Sequence, residues 1–344
     1  MKRLTFIVLF LIPLSLMAQE NRFLEHPHYG GTESEFLETQ QWQTLDLVDK
    51  TLDANPVQDG DPCGARKMAL FALDGIVHNS IYDNTPAIRH YMEGRLEKII
   101  RKMDEPVSGG LRVFKIYNMG FVLKTASMTV AIDLSSQEGA RFPLEIADRI
   151  ADRCDALFIT HNHNDHFDNH VVDRFLSQDK PVVAPTEYRP ENREIIHRRP
   201  QEGKTLDGKL KLNGKTLKYR LLPGHQNITE TTCIMCNHIG LMFPEGYTTV
   251  HLGDQAHPED NSWMKNAREM LPGVDILFST CWMGDLGVII PGYDPRTVSV
   301  GHENELGHGV TLRIPYWYAY HNYAGIGRPL VVMGWGEVYD YKRE

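Results

Sequence analysis

Hydrophobic positions along this chain change their spacing once, near residue 108, and the change separates two textures. In the first, Trp42, Leu45, Val48 and Leu52 recur every three or four residues, the period of an amphipathic helix. A second helical pattern runs from Met68 to Tyr82, and Ile88, Met92, Leu96, Ile99 and Met103 mark a third. Asn55-Pro56 and Asp59-Gly60-Asp61-Pro62 break the first from the second, because proline and glycine favour turns over helix continuation. This part holds no ligand-like cluster, and His78 on its helix reads as a satisfied core or boundary histidine.

After Ser108-Gly109-Gly110 short β-type runs take over. They cover Val113 to Leu123, Met128 to Leu134, Leu157 to Thr160, Pro181 to Ala184, Leu217 to Leu222, Cys233 to Met242, Thr248 to Leu252, Ile276 to Ser279 and Thr297 to Val300. Helical patterns lie between some of them, near Pro143 to Arg153, His170 to Ser177 and Trp263 to Met270. Early strands followed by strand–helix alternation predict sheets packed face to face with helices outside, a layered α/β architecture. The division predicted is a leader over 1–19, a helical N-terminal extension over 20–108 and a catalytic-type domain over 109–344.

Composition narrows the function more than the fold. A chain of 344 residues with 42% hydrophobic and 24% charged residues is of globular type. Its formal charge of -9 offers no electrostatic footprint for a phosphate backbone, so no nucleic-acid partner is expected. Lys2 and Arg3 followed by the apolar run Leu4 to Leu16 form a secretory signal pattern, with cleavage expected after Ala18 or Gln19. No cysteine sits at that junction. The mature protein is therefore expected in the periplasm or secreted, without a transmembrane span. Export permits disulfides, but the five cysteines are odd in number and scattered. Cys233 and Cys236 lie on one apparent buried strand, where positions three apart face opposite sides, so both read as buried free thiols.

Candidate chemistry concentrates in Thr160-His161-Asn162-His163-Asn164-Asp165-His166, directly after the apolar run Ala156 to Ile159. Imidazole nitrogen and carboxylate oxygen are ligands that borderline divalent metals accept. Later strand ends repeat the theme: His225 after Leu221 to Gly224, Asp254 after Val250 to Gly253, and His302 after Val298 to Gly301. Asp133 follows the early run Ala131-Ile132. Each alone is ordinary turn chemistry; the recurrence together with the dense motif points to a metal site. His257 and His308 follow ligand-bearing strands closely and are candidates for substrate binding or proton donation.

The H-x-H-x-D-H run of His161, His163, Asp165 and His166, followed in order by His225, Asp254 and His302, resembles the metallo-β-lactamase fold superfamily of metal-dependent hydrolases. The resemblance covers roughly 111–320 and is nearest the branch of ascorbate-phosphate lactonase and N-acylphosphatidylethanolamine phospholipases. It implies a four-layer αββα sandwich. It also implies that His161, His163 and His225 hold one divalent ion, Asp165, His166 and His302 a second, and that Asp254 bridges them. Asp133 matches the family's structural aspartate, which orients the motif loop. Two ions, zinc by default with manganese or iron as alternatives, would share a hydroxide, with Asp165 and Asp254 as the catalytic carboxylates. The expected substrate is a small-molecule or lipid-like ester, a phosphodiester or lactone first and a β-lactam or thioester second. A retired member of the superfamily, keeping the fold for binding or sensing, is the competing expectation.

Overall fold

The computed structural model describes residues 33–80, 85–228 and 233–343. The leader reading over 1–19 lies outside them. Alternation along the parallel strands sets the layering. In β3 (Thr129–Ile132), β4 (Ala156–Phe158) and β5 (Val182–Ala184), the side chains of Val130, Ile132, Ala156, Phe158 and Val183 enter one hydrophobic cluster. Those of Ala131, Leu157, Val182 and Ala184 enter another, because successive strand residues point to opposite faces. A strand buried on both sides therefore reads as one continuous apolar run.

The first sheet adds β1 (Leu111–Lys115), β2 (Phe121–Lys124) and β6 (Ile196–His197), and the last strand of the chain, β16 (Glu337–Tyr341), closes its edge. Its order is β16-β1-β2-β3-β4-β5-β6. The second sheet comprises β7 (Leu206–Leu212), β8 (Lys215–Leu222), β11 (His238–Met242), β12 (Thr248–His251), β13 (Ile276–Thr280), β14 (Thr297–Gly301) and β15 (Leu330–Val332). They lie in the order β15-β14-β13-β12-β11-β8-β7, while β9 (His225–Ile228) and β10 (Cys233–Met235) form a separate ribbon. In both sheets an antiparallel half passes into a parallel half, at β3–β4 and at β12–β13. The sheets meet face to face through ring pairs such as Phe121–Phe278, with centroids 4.6 Å apart, and Phe158–Tyr219 at 5.3 Å.

Helices cover the outer faces. They are α1 (Glu33–Ala54), α2 (Gly64–Val77), α3 (Pro86–Asp104), α4 (Leu144–Asp152), α5 (Asn169–Leu176), the short α6 (Asn261–Met264) and α7 (Ala267–Met270), α8 (Leu286–Tyr293) and α9 (Tyr316–Asn322). The result is the four-layer αββα sandwich. α3 starts with Pro86 in its first turn, where a missing N–H costs nothing, and buries Ile88, Met92, Leu96, Ile99 and Met103 along one stripe. The N-terminal helices share a hydrophobic cluster with Phe114, Val122 and Trp335. Arg66 of α2, fully buried, donates from Nη1 and Nη2 to Glu337 of β16 at 2.5 Å each, with Asp61 3.2 Å from Nε. Arg95 Nη2 lies 3.8 Å from Glu337 as well, so two buried guanidiniums stand against the two carboxylates.

Two apparent strands differ from the pattern. The run from Val113 to Leu123 divides into β1 and β2 around a tight turn in which Asn118 takes φ 50°. The run from Cys233 to Met242 divides into β10 and β11, with a register shift at Ile234/Met235. Hydrophobicity continues through both turns because their side chains are buried too, so polarity cannot mark them. Cys236 is buried and free as expected; Cys233 is free but exposed, because the ribbon carries it off the sheet. Strands β7, β9, β15 and β16 and helices α8 and α9 carried no clear periodic signal.

Candidate metal centre

The ligand-type side chains all stand beside strand ends, where the backbone must turn. β4 ends at Phe158, and Thr160 immediately donates from its amide to Asp133 Oδ1 (2.8 Å) and from its hydroxyl to Asp133 Oδ2 (2.7 Å). Asp133 itself follows β3 with φ 49°. One fully buried carboxylate thus ties two neighbouring parallel strands together and starts the histidine loop. Its Oδ2 is also 2.7 Å from His166 Nδ1, which places the proton on Nδ1 and turns Nε2 into the cleft as a lone-pair donor.

Two groups of ligand atoms converge, each within 4.8 Å internally: Asp165, His166, Asp254 and His302, and His161, His163 and Asp254. Asp254 belongs to both. Its Oδ1 lies 3.2 Å from His166 Nε2, and its Oδ2 lies 3.3 Å from His302 Nε2 and 3.9 Å from His161 Nε2. Asp165 Oδ2 is 3.2 Å from His166 Nε2 and accepts from Asn118 Nδ2 at 2.7 Å. The His161 and His166 rings are 4.1 Å apart, and both are fully buried.

The electrostatics follow from packing this much chemistry out of water. Burial, then the neighbouring His166, pushes His161 down to about 3, so its ring is neutral and available as a ligand. Burial opposes ionisation of Asp254, yet His166 and His302 outweigh it and hold the carboxyl well below its ordinary range. His302 moves the other way, up to about 10, since the Asp254 and Asp165 carboxylates overcome its burial. Buried histidines and carboxylates that depend on one another for charge balance suit a cation. Three of their atoms, His161 Nε2, His166 Nε2 and Asp254 Oδ1, are buried without a hydrogen bond. Such orphaned atoms are rare in folded proteins and costly. Divalent ions at the two groups would accept those lone pairs, so the residues fit the group.

Gly253 is required by this packing. It has φ 54°, and a Cβ there would lie 2.5 Å from Cys236 Sγ and 2.8 Å from Thr160 Oγ1. The absent side chain lets Asp254 approach the histidine loop.

His225 stands apart. Among the described residues it joins neither group. It begins β9 and lines a neighbouring hollow of about 520 Å³ with His257 and Asp260. Its amide donates to Gln255 Oε1 (2.8 Å) and Asp260 Oδ2 (2.9 Å), and its Nδ1 is 3.2 Å from Asp260. Asp260 thus gives His225 the same kind of carboxylate brace that Asp133 gives His166. His257 shares that hollow, 6.1 Å from His225 between ring centroids, and does not line the metal cleft. His308 does line it, about half exposed, with Nδ1 3.3 Å from Glu305 Oε2.

The cleft over the two groups has a volume of about 1000 Å³. Asn162, Asn164 and Trp282 line it, whereas Tyr293 is buried against His238 and Trp317 is exposed outside it. Sequence reasoning missed three polar neighbours. Asn118 comes from a turn disguised as a strand. Gln226 donates to Asp254 Oδ2 at 3.2 Å from the start of the ribbon. Glu305, only 5% exposed, reaches to 3.7 Å from His302 Nε2. For Glu305 a signal existed, three residues beyond a ligand in Gly301-His302-Glu303-Asn304-Glu305, but acidic loop residues are too common to single out.

No family model matches this chain, and no curated relative is found. Solved structures do match. A possible metal-dependent hydrolase from Veillonella parvula superposes with a TM-score of 0.50 at 15% identity, over 68% of this chain and all of the other. Igni18, a metallo hydrolase from the archaeon Ignicoccus hospitalis, gives 0.49 at 15% identity over 68% of this chain and 99% of its own. A Thermotoga maritima protein of the metallo-β-lactamase superfamily gives 0.36 at 14% identity, over 62% and 87%. The likeness is one of fold, the layered α/β sandwich shared with the Veillonella protein.

Proposed function

We propose that this protein is an exported dinuclear metal-dependent hydrolase that cleaves an ester-type bond, a phosphodiester or lactone. The observation that carries the reading is the position of Asp254, which belongs to both ligand groups and whose Oδ2 lies 3.3 Å from His302 Nε2 and 3.9 Å from His161 Nε2. Asp254, with His161 and His163 on one side and Asp165, His166 and His302 on the other, would help to hold two divalent cations. Bound there, divalent cations, zinc first and manganese or iron next, polarise the scissile oxygen and bring the pKa of water down to about 7.

The chain's own groups supply orientation. Asp133 keeps His166 in one tautomer. Asn118 holds Asp165 Oδ2, leaving Oδ1 to orient water. His308, at the cleft rim and braced by Glu305, is placed to give a proton to a leaving group. His225, braced by Asp260, stands in the adjoining hollow, so His161 and His163 share Asp254 as their partner in this reading. The structural neighbours named as metal-dependent hydrolases support the enzyme class, and the resemblance to lactonases and phospholipases supports the bond type. A β-lactam or thioester is the second choice of substrate.

The export reading rests on Lys2, Arg3 and the apolar run after them. Among the described residues no helix is long and apolar enough to cross a membrane. A retired binding protein would tolerate loss of ligands, whereas all seven ligand-type residues persist here.

The deciding experiment measures metal content of the purified protein and screens phosphodiesters, lactones, thioesters and β-lactams. Two ions per chain, with hydrolysis lost in His163→Ala, is the expected result. Protein without transition metal after growth in supplemented medium, and insensitive to His163→Ala, would falsify the reading.

A further inference from the structure

Nine arginines besides Arg141 are buried or half-buried among the described residues, and each is held by an anionic or carbonyl partner. Arg66, Arg95, Arg112, Arg149, Arg153, Arg174, Arg189 and Arg220 face carboxylates. Arg313 donates to backbone carbonyls. Arg141 is the exception. It is half-buried on the wall of the metal cleft, and its side-chain hydrogen bond goes from Nε to the neutral amide oxygen of Gln137. Both terminal nitrogens of the guanidinium have no protein partner among the described residues.

The loop that presents it is built rather than slack. Gln137 and Glu138 take φ 49° and 52°, a conformation that ordinary residues hold only when their surroundings demand it. The buried carboxylate of Asp168, which caps α5, makes that demand. It accepts from Ser136 N (3.0 Å), Ser136 Oγ (2.5 Å) and Glu138 N (2.9 Å). Gln137 in turn abuts Gly307, whose missing Cβ would lie 3.2 Å from Gln137 Nε2 and 2.7 Å from Glu305 Oε1. Arg141 is therefore anchored next to the loop that carries His302, Glu305 and His308.

The acidic side chains of the cleft do not serve it. Asp165 and Asp254 lie against His166 and His302, and Glu305 lies against His302 and His308. A planar fork of donors, desolvated in part and left without an anion, recognises a carboxylate or phosphate on a ligand. Phe167, Trp282, Leu312 and Ile314 line the same cleft and give it an apolar wall.

Resting on the hydrolase reading, we propose that the substrate is an acidic ester or lactone with an apolar body, and that Arg141 binds its anionic group and sets specificity. Three aryl esters of one chain length test this, with tails ending in carboxylate, in phosphate or in a neutral methyl ester. The full-length metal-loaded protein and its Arg141→Met and Arg141→Lys variants are compared on each. Hydrolysis-resistant amides of the same tails are titrated calorimetrically in parallel. For at least one anionic tail, Arg141→Met is expected to raise KM and weaken amide binding at least about tenfold, the usual scale of a charge-assisted hydrogen bond. Arg141→Lys should recover part of the loss, and the neutral tail should be unaffected. The more affected anionic tail identifies the group.

Equal losses on all three tails, no loss on either anionic tail, or wild-type protein binding none of the amides overturns the proposal. If the anionic amides bind in an Arg141-dependent way but no ester is cleaved, the hydrolase reading fails and the anion site stands.

Discussion

Asp133 Oδ2 lies 2.7 Å from His166 Nδ1 and 2.7 Å from the hydroxyl of Thr160, so a single carboxylate sets both the tautomer of one ligand and the start of the loop that carries four. Replacing Asp133 by Asn keeps the shape but removes the charge and one acceptor. Competition with a chromophoric chelator should show metal affinity falling about 10–100-fold, the usual effect of losing such a partner. Unchanged affinity would refute the role given to Asp133.

Asp254 contributes to both ligand groups, and no neighbouring carboxylate replaces both of its oxygens. Asp254→Ala should reduce bound metal from two ions per chain to one or fewer, read by elemental analysis, and abolish hydrolysis. A variant that still carries two ions would remove the bridging assignment.

Asn118 has two separable duties, a left-handed backbone at φ 50° and an amide that donates to Asp165 at 2.7 Å. Asn118→Gly keeps the backbone and loses the amide; Asn118→Ala loses both. The glycine variant should match wild type in thermal stability within about 1 kcal/mol, and the alanine variant should fall below it by roughly 1 kcal/mol of backbone strain. Both should lose about tenfold in kcat, the scale of one lost hydrogen bond to a charged group. Equal stability of the two variants would argue against strain at this position.

Asp74 of α2 accepts from Asn304 Nδ2 (2.7 Å), Tyr316 N (2.8 Å) and Trp317 N (3.1 Å), and so joins the N-terminal helices to the His302 loop. Burial raises its pKa to about 6, against the lowering effect of those donors. The folded state therefore holds the Asp74 proton more tightly than the unfolded chain. The stability it contributes is complete below the unfolded value near 3.8 and is lost as pH rises through about 6. Urea midpoints from pH 4 to 7 should carry a falling contribution on the order of 2–3 kcal/mol. Asp74→Asn should remove that contribution. An identical pH profile in the variant would show that Asp74 titrates normally.

Much of the fold was legible because strands buried on both faces must be apolar throughout, and helices with one buried face must repeat at three or four residues. Runs such as Thr248 to Leu252 and Ile276 to Ser279 became strands within a residue or two of their expected ends. Turns that are themselves buried, at Asn118 and at Cys236-Asn237, broke no pattern and stayed invisible. The edge strands β7 and β16 alternate in burial at every residue, but Gly208 and the buried Glu337 at inward positions hide that alternation in the sequence, and β16 takes its partner β1 from a distant part of the chain.

The candidate site divides in the same way. His161, His163, Asp165 and His166 are recognisable from the sequence alone, because a strand end and a six-residue loop place them together by local geometry. That Asp254 and His302 meet them depends on the order of strands within two sheets and on how those sheets face each other, which no local spacing encodes. The same long-range packing brings in Asn118, Glu305 and Arg141 and holds His225 and His257 in the adjoining hollow. Local chain geometry chose the metal-binding loop; the stacking of two sheets decided what completes it.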